Sequence, residues 1–161
     1  MSHAVIDPYL AGIQTICQAV AGMTPEQVRA RPIAGKWSTL EVVCHLADFD
    51  AVYAERMKRA IADDRPITFG GDQERFAKAL AYQDRDLEEE LAVIEATRRQ
   101  MARILRTLPP EAFSRPAIYK HGYEQQSAEE VRTLEKLLIG ITNHINHHVK
   151  FIDEKRRALA R

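Results

Sequence analysis

Apolar residues recur at intervals of three and four in four separate stretches of this chain, the period of one face of a helix. Leu10, Ile13, Ile16, Cys17 and Val20 mark the first stretch. With Asp7 as N-cap and Pro8 at the first helical position, it predicts a helix over residues 8–23. Thr24 and Gln27 have capping-box spacing and open a short turn that Pro32 and Gly35 close. Ser38 and Glu41 repeat that spacing, so a second long helix is predicted over residues 39–62. Pro66 and the pair Gly70-Gly71 break it, and residues 72–80 predict a short helix. Leu87, Leu91, Ile94, Met101, Ile104, Leu105 and Leu108 put a third long helix over residues 84–108, with Glu and Arg on its other side and Pro109-Pro110 at its end. A third box, Ser127 with Glu130, predicts the start of a fourth long helix, which ends in a basic tail, Lys155-Arg156-Arg157. Residues 66–69 and 117–119 are too short to found a sheet. The pattern therefore predicts an all-α protein, a four-helix bundle formed by one domain over residues 1–161.

Two of these stripes carry imidazoles. His144 and His148 are four residues apart, which at about 100° per residue sets them on one face with Leu137, Ile141, Phe151 and Ile152. By itself the pair reads equally as a chelate or as two histidines satisfied by hydrogen bonds in the core or at the surface. A divalent site needs a third ligand, and the second long helix offers His45 on a face shared with Val42, Phe49 and Val52. Three neutral imidazoles from facing helices leave a coordination position open for chemistry or ligand exchange. Imidazole suits zinc, nickel, copper or iron(II) better than magnesium or calcium. His147 is rotated by about 80° from the midline of the pair and is predicted not to ligate directly. Asp48, Asn143 and His147 are placed to fix imidazole tautomers, or are plain polar helix surface. Trp37, Phe49 and Tyr53 suit either a pocket wall or the core. Gly140 suits either a close approach or neutral packing.

Composition narrows the functional classes. Apolar residues make up 45% of the 161 and charged residues 29%, as in an ordinary globular chain. Lys+Arg and Asp+Glu number 23 each, so no global field draws nucleic acid or anionic lipid. No window approaches 18 apolar residues, and the first residues lack a basic and apolar leader, so a cytoplasmic protein without a membrane segment is expected. Cys17 and Cys44 show no CxxC spacing and are expected as buried free thiols in a reducing compartment.

The pattern Trp37-Ser38, then His45-Leu46-Ala47-Asp48, then His144-Ile145-Asn146-His147-His148 near the end, resembles the DinB/YfiT-like family across nearly the whole chain. The resemblance implies a four-helix bundle, usually a homodimer, with a divalent metal, typically nickel or zinc, on His45, His144 and His148. It also implies, for some members, transfer of a low-molecular-weight thiol to a small electrophilic molecule. Two classes of function are expected: a metal-dependent enzyme, a thiol S-transferase or else a hydrolase using metal-bound water, and a non-catalytic, stress-related metal-binding bundle. In the second class a fourth protein ligand such as Asp48, His147 or His121 would close the site.

Overall fold

The computed structural model of the chain describes residues 2–122 and 128–160, apart from the side chains of residues 2 and 3. Four long helices dominate: α1 (Ile6–Val20), α3 (Thr39–Ala62), α5 (Leu87–Arg106) and α6 (Leu134–Leu159). The short helices α2 (Pro25–Arg29) and α4 (Gln73–Ala79) lie in the connections. Helix α1 packs on α5 and α6, and α3 packs on the same two, so the cyclic order is α1, α5, α3, α6, with α5 and α6 on a diagonal. No described helix is long and apolar enough to cross a membrane.

Local chemistry sets several boundaries as expected. The Thr24 and Ser38 side chains each accept from the backbone N–H three residues on, and Gln27 and Glu41 return the bond. Other boundaries move. Helix α1 begins at Ile6, so Asp7 lies inside its first turn instead of capping it, and Arg106 donates to its carboxylate at 3.0 Å. Helix α5 begins at Leu87, with Asp86 accepting from the Glu89 N–H, because residues 82–84 form a separate 3-10 turn.

The larger correction is a small sheet. Strand β1 (Ile67–Phe69) pairs in parallel with β2 (Pro116–Lys120), and β2 pairs antiparallel with β3 (Glu129–Thr133). Residues 129–133 are thus drawn into a ladder, and α6 starts later than expected, with Thr133 accepting from the Lys136 N–H. Ser127 of the expected cap lies outside the described residues. The sheet joins the chain leaving α3 to the chain entering α6, the two helices that carry the histidines.

Inside the bundle, two apolar clusters are separated by a polar layer. One contains Tyr9, Met57, Met101, Leu105 and Leu138, the other Ile16, Val43, Leu46, Ile94 and Ile145. Between them Arg98 and Asp50, neither exposed to solvent at all, form a two-pronged ion pair, with Nε to Oδ2 at 2.6 Å and Nη2 to Oδ1 at 2.8 Å. Arg98 also donates to the Tyr9 carbonyl at 2.6 Å and the Ile141 carbonyl at 3.2 Å, so one guanidinium touches all four long helices. A Cβ at Gly12 would run into that guanidinium, which explains a glycine in the middle of α1.

Candidate metal centre

His45 lies in the second turn of α3, a helix whose start is fixed by the Ser38–Glu41 box. His144 and His148 lie one turn apart on α6. The packing of α3 on α6 brings the three rings into a near-equilateral triangle, with centroids 4.8, 4.7 and 4.6 Å apart. One nitrogen from each ring falls within 4.8 Å of the others. The Nε2 atoms of His45 and His144 face each other at 3.0 Å. The ligands of one small ion keep nearly this spacing, since each sits about 2.0–2.1 Å from a zinc.

Electrostatics keep the rings neutral. His45 is 1% exposed and the other two are half-buried. Burial first, then the neighbouring basic groups, push His45 and His144 down to about 3 and His148 down to about 4. Neutral imidazole is the form that ligates. The Nδ1 atoms of all three rings are buried without a hydrogen-bond partner among the described residues. The Tyr9 and Thr39 hydroxyls are unpartnered in the same way, so what singles out the triad is the convergence of three neutral ring nitrogens. The donor set therefore fits a borderline divalent ion better than it fits a closed core.

The remaining sequence candidates divide clearly. Asp48 does not reach the rings: Arg85 Nη1 donates to both of its oxygens at 3.0 and 3.1 Å, and the same guanidinium holds Glu90. A salt bridge thus occupies the carboxylate expected to orient an imidazole. Asn143 and His147 are exposed, and His147 meets the His148 and Phe151 rings edge-on. His121 is exposed in the sheet region, 3.9 Å from Glu130. No fourth His, Cys, Asp or Glu joins the cluster among the described residues. Phe49 and Trp37 pack against His45 with their rings tilted to it, centroids at 4.5 and 5.3 Å. Tyr53 sits further along α3 against Gly140, where an added Cβ would make ordinary contact, so no close approach explains that glycine.

Of the cysteines only Cys44 is buried, where burial pushes its thiol up to about 12 and it donates to the Tyr82 carbonyl; Cys17, contrary to expectation, is exposed. Neither joins the histidines. A cavity of about 680 Å³ adjoins the cluster, lined by Trp37, Val42, Tyr82 and Phe151, with the exposed Lys36 and Glu74 at its rim. His148 is the ring of the three that lines it. Lys155, expected in a basic tail, also lines it and is 3% exposed. Its spacing of seven from His148, two helical turns, was the overlooked signal.

A four-helix bundle with three histidines gathered between two of its helices, in an arrangement that could hold a metal ion, defines the class of the protein. The sequence model of the DinB superfamily matches residues 11–152, and the chain belongs to that superfamily. It is similar to YfiT of Bacillus subtilis (strain 168), with 28% identity over 142 residues, covering 88% of this chain and 76% of that one. A protein of Geobacillus thermodenitrificans is 27% identical over 139 residues, covering 86% of this chain and 75% of its own. The solved structure of YfiT, described as a probable metal-dependent hydrolase with an unusual four-helix bundle topology, superposes with a TM-score of 0.84 at 25% identity, covering 98% of this chain and 86% of that one.

Proposed function

We propose that this chain is a metal-dependent enzyme in which His45, His144 and His148 hold one divalent transition ion, nickel or zinc, and that it transfers a small thiol to a small electrophilic molecule. The observation that carries the reading is the meeting of three neutral imidazoles beside a cavity, with no fourth protein ligand among the described residues. When bound, such an ion lowers the pKa of a coordinated thiol or water so that a nucleophile exists at neutral pH. Because the three ligands are neutral, they leave the ion its full charge. Trp37, Tyr82 and Phe151 give the cavity aromatic walls that displace water from an apolar reactant. The buried and half-buried carboxylates nearby are committed, Glu41 to Arg31 and Asp48 to Arg85, and Glu74 and Glu154, which also line the cavity, are exposed. A thiol, with an ordinary pKa near 8.5, needs less help from a base than water does, and this favours the thiol.

Hydrolysis is the second reading, supported by the description of the YfiT relatives and by the three-histidine donor set, which also suits activation of water. The cytoplasm, where Cys17 and Cys44 stay free, and a homodimer complete the proposal. Sedimentation showing only an 18.3 kDa species would remove the dimer. Elemental analysis of the untreated protein, followed by parallel assays of thiol substitution on an aryl halide, which releases halide and a proton, and of ester hydrolysis, tests the rest. About one ion per chain and thiol transfer that disappears in His45→Ala are expected. Ester hydrolysis without thiol would replace the first reading by the second. Stoichiometric metal with neither activity would leave a non-catalytic binder, and unchanged metal in His45→Ala would discard the triad.

A further inference from the structure

Seven residues separate His148 from Lys155, so the two side chains lie on one stripe of α6 about 10.5 Å apart along the axis. Lys155 is buried at 3% exposure, yet among the described residues no carboxylate lies within ion-pair distance of its ammonium. Its hydrogen bond runs from Nζ to the Phe151 carbonyl at 3.0 Å. An ammonium has three donors, and a buried charge without a counter-ion is costly. Two carboxylates influence it. Glu154 is exposed, and Glu41 already accepts from two Arg31 nitrogens and from the Ser38 N–H. Burial accordingly pushes the ammonium below the ordinary lysine range. The other cations of the cavity differ: Arg31 is paired with Glu41, while Lys36 and Lys78 are exposed and hydrated.

We propose that this cavity binds small organic molecules that carry a carboxylate, with the carboxylate on Lys155, the skeleton against Trp37, Tyr82 and Phe151, and the opposite end directed at His148. The inference names the substrate class of the site proposed above and rests on that reading only for what happens at the histidine end. The carboxylate can belong to the thiol or to its electrophilic partner, because Lys155 recognises the same group in either.

Trp37 is the sole tryptophan of the chain and lines the cavity, so its fluorescence reports occupancy. The metal-free full-length protein is titrated with 3-phenylpropionate and with its amide. The acid is expected to bind at least tenfold more tightly. Lys155→Met and Lys155→Gln should bring the two affinities together, while Lys155→Arg and Lys36→Gln should preserve the preference. Equal affinities in the wild type overturn the site, as does a preference that survives both neutral substitutions; the wild-type ratio decides even where a variant fails to fold. A second arm compares 3-mercaptopropionate with 2-mercaptoethanol on the zinc-loaded protein by calorimetry. A preference for the mercaptoacid that disappears in Lys155→Gln assigns the carboxylate to the thiol, and equal binding there, with the metal-free preference intact, assigns it to the electrophile. Failure to take up zinc while the acid-over-amide preference persists removes the metal reading and leaves the carboxylate site standing. Loss of that preference with zinc bound does the reverse.

Discussion

Asp50 lies five residues beyond His45 on α3, and Ile141, whose carbonyl Arg98 reaches, lies three residues before His144 on α6. The ion pair and the histidine cluster therefore occupy neighbouring layers of the same helix interface. In the first layer every nitrogen of a fully buried guanidinium meets an acceptor, four bonds in all to two carboxylate oxygens and two backbone carbonyls. In the second, three Nδ1 atoms are buried without protein partners, and one ring faces a cavity. The first layer is fully buried and the second only partly, and the two differ in satisfaction as well. A polar cluster that serves the fold is closed by the chain itself; in the proposed reading this one is completed by an ion, at the expense of stability in the ion's absence.

Of the single substitutions, breaking the closed layer should cost the most stability. Arg98→Met leaves Asp50 buried and unpaired, and the expected loss is about 3–5 kcal/mol, read from the shift in urea midpoint. The double variant Arg98→Met/Asp50→Leu should recover most of it; equal losses in single and double variants would mean that pairing is not what holds this layer.

Acid should act through the open layer of the metal-free protein. Folded, His45 and His144 titrate at about 3 and His148 at about 4, against about 6.5 when unfolded. As the pH falls, the unfolded chain takes up these protons first. Stability from this source is therefore fully present above pH 6.5 and is lost toward pH 4, with a limiting slope of about 1.4 kcal/mol per pH unit for each histidine. Denaturation curves at several pH values check it, and a flat profile between pH 6.5 and 4 would contradict the burial of the triad.

Next comes the ranking of two adjacent rings. His148→Gln should lose the metal, whereas His147→Gln should retain it with at most about a 10- to 100-fold loss of affinity. A competition titration that gives the opposite order would show that α6 presents a different face to α3.

The smallest effect sharpens the contrast most. In metal-free protein at pH 7, His45→Phe removes an unsatisfied polar ring from among Trp37 and Phe49 and should change stability by no more than about 1 kcal/mol, toward stabilisation. A loss comparable to that of Arg98→Met would mean that both layers serve the fold alike.

The helices were largely legible because caps and stripes are local. Ser38 and Glu41 placed the start of α3 correctly, and the spacing of His144 and His148, joined to an imidazole on the apolar face of α3, was enough to bring His45 to them. The sheet was not legible: β1 has three residues, and its partner lies about 50 positions away, with no alternation to announce the pairing. Arg98 was hidden for a different reason. Charged residues were assigned to the outer face of α5, although Leu91, Ile94, Arg98, Met101 and Leu105 keep helical spacing and put an arginine in the middle of the apolar stripe. Asp48 misled in the other direction, because its place one turn from His45 said nothing of an Arg85 that arrives from 37 residues away.

The triad also has an order of assembly written into it. His144 and His148 are neighbours on one helix, while His45 is 99 residues from His144 along the chain. His144 and His148, one turn apart, make a two-toothed chelate wherever α6 is helical, and the third tooth joins only when α3 has docked. An ion on this triad is accordingly held loosely by an unfinished chain and tightly by a finished one, and its third bond adds its free energy to the docked state alone. Under the proposed function, metal retention would then inspect workmanship: a molecule that keeps its ion would have brought α3 and α6 together correctly.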